Sequence, residues 1–133
     1  MPQVILYAAV AVVAVMVLLV GLNAVVVLRM RALKGKPLPD VPGPIGQRLI
    51  RAKRALAYFF SPGCAACVRT TPILRRLSEK NRDVHVIDVT RDHDVARALG
   101  ILATPTLVEV EAGRIVQIYV GQVPSQLIER YAQ

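Results

Sequence analysis

Twenty-five consecutive residues, Val4 to Leu28, carry no charge, and Asn23 is the only strongly polar side chain among them. As an α-helix rising 1.5 Å per residue the run is roughly 37 Å long, more than the roughly 30 Å hydrocarbon core of a bilayer. It predicts one membrane-spanning helix with room for tilt. A core helix of that length would need more protein around it than 133 residues supply. A cleaved signal peptide has a basic leader, a shorter apolar stretch and a small-residue cleavage site, whereas Met1, Pro2 and Gln3 bring no basic side chain. Residues 1–33 are therefore expected to form a single-pass membrane anchor with a basic flank.

Charge sets the expected orientation. Arg29, Arg31, Lys34 and Lys36 follow the span and nothing basic precedes it, so the excess of positive residues on cytoplasmic flanks places the C-terminal part in the cytoplasm. The formal charge of the whole chain is +8, but it is unevenly spread. Residues 1–54 hold eight Lys/Arg and one acid, Asp40, for a net +7; residues 55–133 hold nine basic and eight acidic residues, for a net +1. The basic stretch suits anionic lipid headgroups. No aromatic residue is interleaved with its charges to stack on bases, so no nucleic-acid partner is expected. Within it, GKPLPDVPGPIG (residues 35–46) has four prolines and three glycines in twelve residues. Proline at that density blocks a continued helix or an inner strand, which makes residues 34–54 an expected basic linker. Gln47 to Arg54 reads equally as a short helix or as the first edge of a domain.

Residues 55–133 carry the signals of a folded α/β unit. Ala55 to Phe60 is an apolar run of strand length ended by Ser61, Pro62 and Gly63. Val68, Ile73, Leu74 and Leu77 then recur at helical spacing among arginines, predicting an amphipathic helix from Cys64 with a kink at Pro72. Val84 to Val89 reads as a covered strand. A short helix capped by Asp92 or Asp94 carries Val95 and Leu99 and ends at Gly100. Thr106 to Glu111 and Arg114 to Val120 form a hairpin about Ala112-Gly113, with Val108 and Val110 on the buried side and Glu109 and Glu111 on the other. A last helix from Pro124 and Ser125 buries Leu127, Ile128 and Tyr131. The expected order is β-α-β-α-β-β-α.

Several features in that order resemble the thioredoxin-like thiol-disulfide oxidoreductases: a buried strand leading into SPGCAACVRTTPIL, Pro72 five residues after the second cysteine, Thr104-Pro105-Thr106 opening a strand, and Gly113 and Gly121. The resemblance covers most of residues 55–133. It implies a central mixed sheet flanked by helices, here preceded by one transmembrane helix, and a redox-active dithiol at Cys64 and Cys67 that exchanges with protein dithiol or disulfide clients. It also implies a cis peptide bond at Pro105, with Thr104 and Pro105 beside the dithiol as client-binding residues, and no cofactor or metal. The chain departs from the family in three ways: the first strand and helix of the full-length fold are shortened to Gln47 to Arg54 or lost, and two further changes fall at the dithiol. Ala65 and Ala66 replace the usual Gly-Pro between the cysteines, so the redox potential does not carry over; and Tyr58 stands where those proteins keep a buried aspartate, six residues before the first cysteine.

The chemistry of the residues agrees. A cysteine at a helix N-terminus faces unpaired N–H groups and the positive end of the helix dipole, which lower its pKa. Cys64 is thus the expected nucleophile, and Cys67, one turn on, the resolving thiol. A c-type haem site needs His after the second cysteine, where Val68 stands. A zinc site would have to recruit both His85 and His93. An inert structural disulfide has no need of a helix start or a nearby Thr-Pro. Beside the tethered oxidoreductase stands a second reading, a non-catalytic assembly or scaffold subunit of a membrane complex.

Overall fold

A computed structural model describes all 133 residues as five helices and four strands. Helix α1 spans Pro2–Arg31, and α2 spans Gly43–Arg51. Then follow β1 (Arg54–Phe60), α3 (Cys67–Lys80), β2 (Val84–Asp88), α4 (His93–Ala98), β3 (Thr106–Glu111), β4 (Arg114–Val120) and α5 (Ser125–Ala132). The expected β-α-β-α-β-β-α order is present, behind α1 and α2.

The strands form one mixed sheet in the order β2-β1-β3-β4. β1 pairs parallel with β2 and antiparallel with β3, and β3 pairs antiparallel with β4. After Arg54, strand β1 is uncharged and buried because both of its faces are covered. Ala55, Ala57 and Phe59 pack with Leu49 of α2, Val95 of α4, Leu99 just after that helix, and Val108 and Val110. Leu56, Tyr58 and Phe60 pack on the opposite face with Leu74 and Leu77 of α3 and Leu127 and Tyr131 of α5. Each large side chain so buried contributes about 1.5 to 3 kcal/mol. The hairpin turn has φ of 49° at Ala112 and 75° at Gly113, both in the left-handed region that a two-residue turn of this twist requires.

Four expectations change. Helix α3 begins at Cys67, not Cys64, because Ser61 to Ala66 make turns first, with Cys64 N–H donating to Ser61 O at 3.2 Å. Asp92 stands at the start of α4 without a side-chain capping bond. Glu109 is buried rather than solvent-facing, since α5 covers its side of the hairpin: its Oε1 accepts from the Tyr131 hydroxyl at 3.1 Å and from Arg130 at 3.4 Å. Finally, the Pro/Gly-rich stretch is bound to the domain rather than running free. Gly35 N–H donates to Ile115 O at 2.6 Å, Ile115 N–H to Lys36 O at 3.0 Å and Leu38 N–H to Gly113 O at 2.8 Å, along the outer edge of β4. Leu38, Val41 and Leu49 then enter the core. The prolines forbid regular structure, but not burial of the leucines and valine between them.

Helix α1 is long and apolar, with a mean hydropathy of 2.9 in its most apolar 18 residues and none of that window buried. It meets the length and composition of a membrane-spanning helix, a test that an N-terminal signal sequence also passes. Its last turn meets the domain, where Met30 is fully buried.

Candidate functional site

Strand β1 ends at Phe60, and the turn through Ser61, Pro62 and Gly63 delivers Cys64 and Cys67 to one end of the sheet. The two cysteines are joined in a disulfide, with Cα atoms 5.3 Å apart. They are not equivalent. Cys67 is 2% exposed and packs with Tyr58, Leu74 and Leu77, while Cys64 lies at the rim of that cluster, half-exposed. Cys67 N–H, the first amide of α3, points at Cys64 Sγ across 3.2 Å. Cys64 therefore sits outside the helix but directly over its N-terminal donors, which is where a thiolate is stabilised.

The loop before β3 closes the other side. The Thr104-Pro105 bond is cis, and Pro105 is buried while Thr104 is half-exposed. Thr104 Oγ1 and Ser61 Oγ lie 3.3 Å apart, a hydrogen bond that ties this loop to the turn preceding Cys64. Thr106 Oγ1 donates to Ala103 O at 2.7 Å, and Gly121 N–H to Pro105 O at 2.9 Å. All four residues singled out in the sequence thus belong to one end of the fold. Ser61 was not among them; its only sequence signal is its place in the turn before Cys64. Two exposed apolar side chains adjoin these segments in sequence, Val68 directly after Cys67 and Leu102 in the loop before Thr104. Apolar surface left open beside a reactive disulfide suits a protein client.

Behind the disulfide, Tyr58 is fully buried, and its hydroxyl lies 2.9 Å from Thr71 Oγ1. Burial pushes the phenol above its ordinary pKa, and the Thr71 hydrogen bond offsets this only in part. Its ring stacks on Phe60, whose other neighbour is the Arg75 guanidinium, 5.2 Å from the ring centre. His85 is buried in β2, and His93 is exposed beside Asp94.

Comparison with known proteins agrees with this geometry. The family model described as Thioredoxin matches residues 46–133. Thioredoxin of Bacillus subtilis is 30% identical over 77 residues, covering 56% of this chain and 74% of that protein. Mitochondrial thioredoxin-2 of Schizosaccharomyces pombe is 29% identical over 96 residues, covering 68% of this chain and 72% of its own. Among solved structures, oxidised thioredoxin from Plasmodium falciparum superposes with a TM-score of 0.53 at 26% identity, over 65% of this chain and 88% of that one. The matched span begins within α2, so α2 belongs with the strands that follow it.

Proposed function

Since the chain belongs to the thioredoxin family and is a thiol-disulfide oxidoreductase, we propose that it works from a membrane anchor, with Cys64 as the nucleophile and Cys67 as the resolving thiol. The observation that carries the assignment of roles is the unequal exposure of the two sulfurs, with Cys67 sealed under the sheet end and only Cys64 open to a client. In the reducing direction the Cys64 thiolate attacks one sulfur of a client disulfide. A mixed disulfide forms and the client's other sulfur leaves as thiolate. Cys67, once deprotonated, attacks Cys64 Sγ; the mixed disulfide breaks, the second client thiolate leaves, and the Cys64–Cys67 disulfide remains. Client thiolates attacking Cys64 run the same steps backward. Direction follows the difference in reduction potential between client and dithiol. Thr104 and Pro105 wall the approach to Cys64 and are the proposed client-binding residues.

Helix α1 supplies the proposed anchor. Burial of Met30 gives the end of α1 a place in the folded domain, a role that a removed leader would not have. The tether raises the local concentration of the dithiol near membrane clients.

The test uses the full chain in uncharged detergent micelles. Wild-type protein is expected to catalyse reduction of insulin disulfides by dithiothreitol. Cys64→Ser should abolish this activity, and Cys67→Ser should trap a mixed disulfide through Cys64. If Cys67 is alkylated faster than Cys64 near neutral pH in the reduced protein, the roles are reversed from those assigned.

A further inference from the structure

The two edges of the sheet are treated differently. The outer edge of β4 is occupied by Gly35 to Leu38, as described above. The outer edge of β2 has no partner strand. The register Leu56↔Val84 through Phe60↔Asp88 fixes which groups are open. Leu56 N–H donates to Asp83 O at 2.8 Å and Val89 N–H to Phe60 O at 3.0 Å, so in this parallel ladder His85 and Ile87 turn their peptide groups toward β1. Val86 presents both its N–H and its C=O outward, flanked by the carbonyl of Val84 and the amide of Asp88. An open row of this kind pairs readily with another extended chain.

Along this edge lies a groove of about 990 Å³ between α2 and the end of α3. Arg48 and Arg51 of α2 stand on one side of the sheet and Arg82, after α3, on the other. Asp83 is the one carboxylate in the lining. A second hollow, about 690 Å³, continues from Val86 past Asp88 to Pro62, two residues before Cys64, and adds Arg75 and Arg91 as well as Asp92. The Asp88 carboxylate is already taken, since its Oδ1 accepts from Thr90 N–H at 2.9 Å and Thr90 Oγ1 at 2.6 Å.

We propose that the free edge of β2 is a docking strand for an extended acidic segment of a partner protein, laid between Arg48 and Arg51 on one side and Arg82 on the other. Side chains of an added strand point alternately to the two sides of the sheet, and both sides carry guanidinium. The segment that fits best therefore has consecutive acidic residues rather than every second one. A second copy of this chain would set these arginines against themselves. A lipid headgroup has no row of amides to complete the edge. Where the partner is a client of the dithiol, which rests on the exchange reading above, the second hollow leads it toward Cys64.

A fluorescent peptide, Val-Glu-Asp-Glu-Val, which has no cysteine, tests the docking independently of exchange. The protein is the full chain in phosphatidylcholine nanodiscs at low salt. Saturable binding is expected, with slowed hydrogen exchange at the amides of Val86 and Asp88. Arg48→Glu with Arg82→Glu should weaken it about tenfold or more, the scale of two reversed surface ion pairs. Methylating alternate peptide nitrogens should weaken binding to wild-type protein by at least as much, because it removes the donors that face Val86. Equal binding of the methylated peptide would reduce the effect to charge attraction and overturn the docking strand. So would displacement of the peptide when phosphatidylserine is added to the nanodiscs, or self-association through β2 that excludes it. Absence of binding alongside normal insulin reduction would sink this proposal and leave the exchange reading standing.

Discussion

In the proposed exchange, resolution of the mixed disulfide requires Cys67 to lose a proton, and packed with it is Tyr58, a buried phenol whose pKa is raised above 10.0. Such a group takes no proton at neutral pH. The resolving step should therefore accelerate with pH from 6 to 9, following the thiol itself with a reference pKa of about 8.5. Single-turnover release of a client from the Cys64 mixed disulfide measures it. Tyr58→Phe should leave the profile unchanged, and Tyr58→Asp should raise the rate near pH 7 while costing stability on the scale of about 3 to 5 kcal/mol for a large core truncation. A flat wild-type profile would show that an acceptor exists. His85 yields a second expectation. Desolvation and, to a lesser degree, Arg48 lower its pKa from 6.5, with Asp83 opposing. The unfolded chain then binds the proton more readily than the folded one, so stability is intact above about pH 6.5 and falls as pH drops below it toward the lowered folded value. In urea titrations His85→Gln should lose less stability than wild type between pH 7 and pH 5; parallel curves would remove the argument. The cysteines, Thr104 and Pro105 were legible because motif and position announce them. The Ser61–Thr104 and Tyr58–Thr71 bonds join residues 43 and 13 positions apart, and nothing local signals such pairs.

Hydrophobic period decided most of the elements correctly, and its failures have a common cause. The alternation in β3 shows that Val108 and Val110 share a face, but it reads the same whether the opposite face meets water or a helix; α5 decides, and Glu109 is buried. Helix α3 lost its first turn because Ser61, Pro62 and Gly63 bend the chain in a way that periodicity does not register. Helix α2 went undecided because nine residues that include Gly43, Pro44 and Gly46 carry little helical preference. Its packing is what holds it. A Cβ on Gly46 would overlap the Val41 carbonyl oxygen and crowd the Val41 side chain, so the close approach of α2 to the preceding segment requires glycine there. Gly46→Ala should destabilise the domain by about 1 to 3 kcal/mol, the usual cost of overpacking a site that can only relax by moving backbone. The urea midpoint of the full chain in detergent reads this, and an unchanged midpoint would mean that α2 is not docked on Val41.

At the scale of the whole molecule the chain divides by solvent rather than by length. Nearly every large side chain from Val4 to Leu28 is exposed, with no protein layer to cover it, whereas Met30 and Leu33 already pack on the domain. A bilayer is the environment that would accept the first set. In that reading the domain starts where the span ends and sits against the membrane surface, with Gly35 to Leu38 fastened to β4 instead of paying out as a leash. The predicted side of the membrane rests on Arg29, Arg31, Lys34 and Lys36, all within eight residues of Leu28 and therefore in the window where positive charge governs insertion. We predict a cytoplasmic dithiol. Cys64 and Cys67 are the only cysteines in the chain, so thiol labelling reads the topology without further substitutions. After mild reduction, a membrane-impermeant maleimide should leave the protein unlabelled in intact cells and label it once the membrane is permeabilised. Cys64, half-exposed above the helix start, is the sulfur expected to react, and Cys64→Ser should remove most of the signal. Labelling in intact cells would place the domain outside, and the positive residues would then be read as a lipid-binding flank that did not set the orientation.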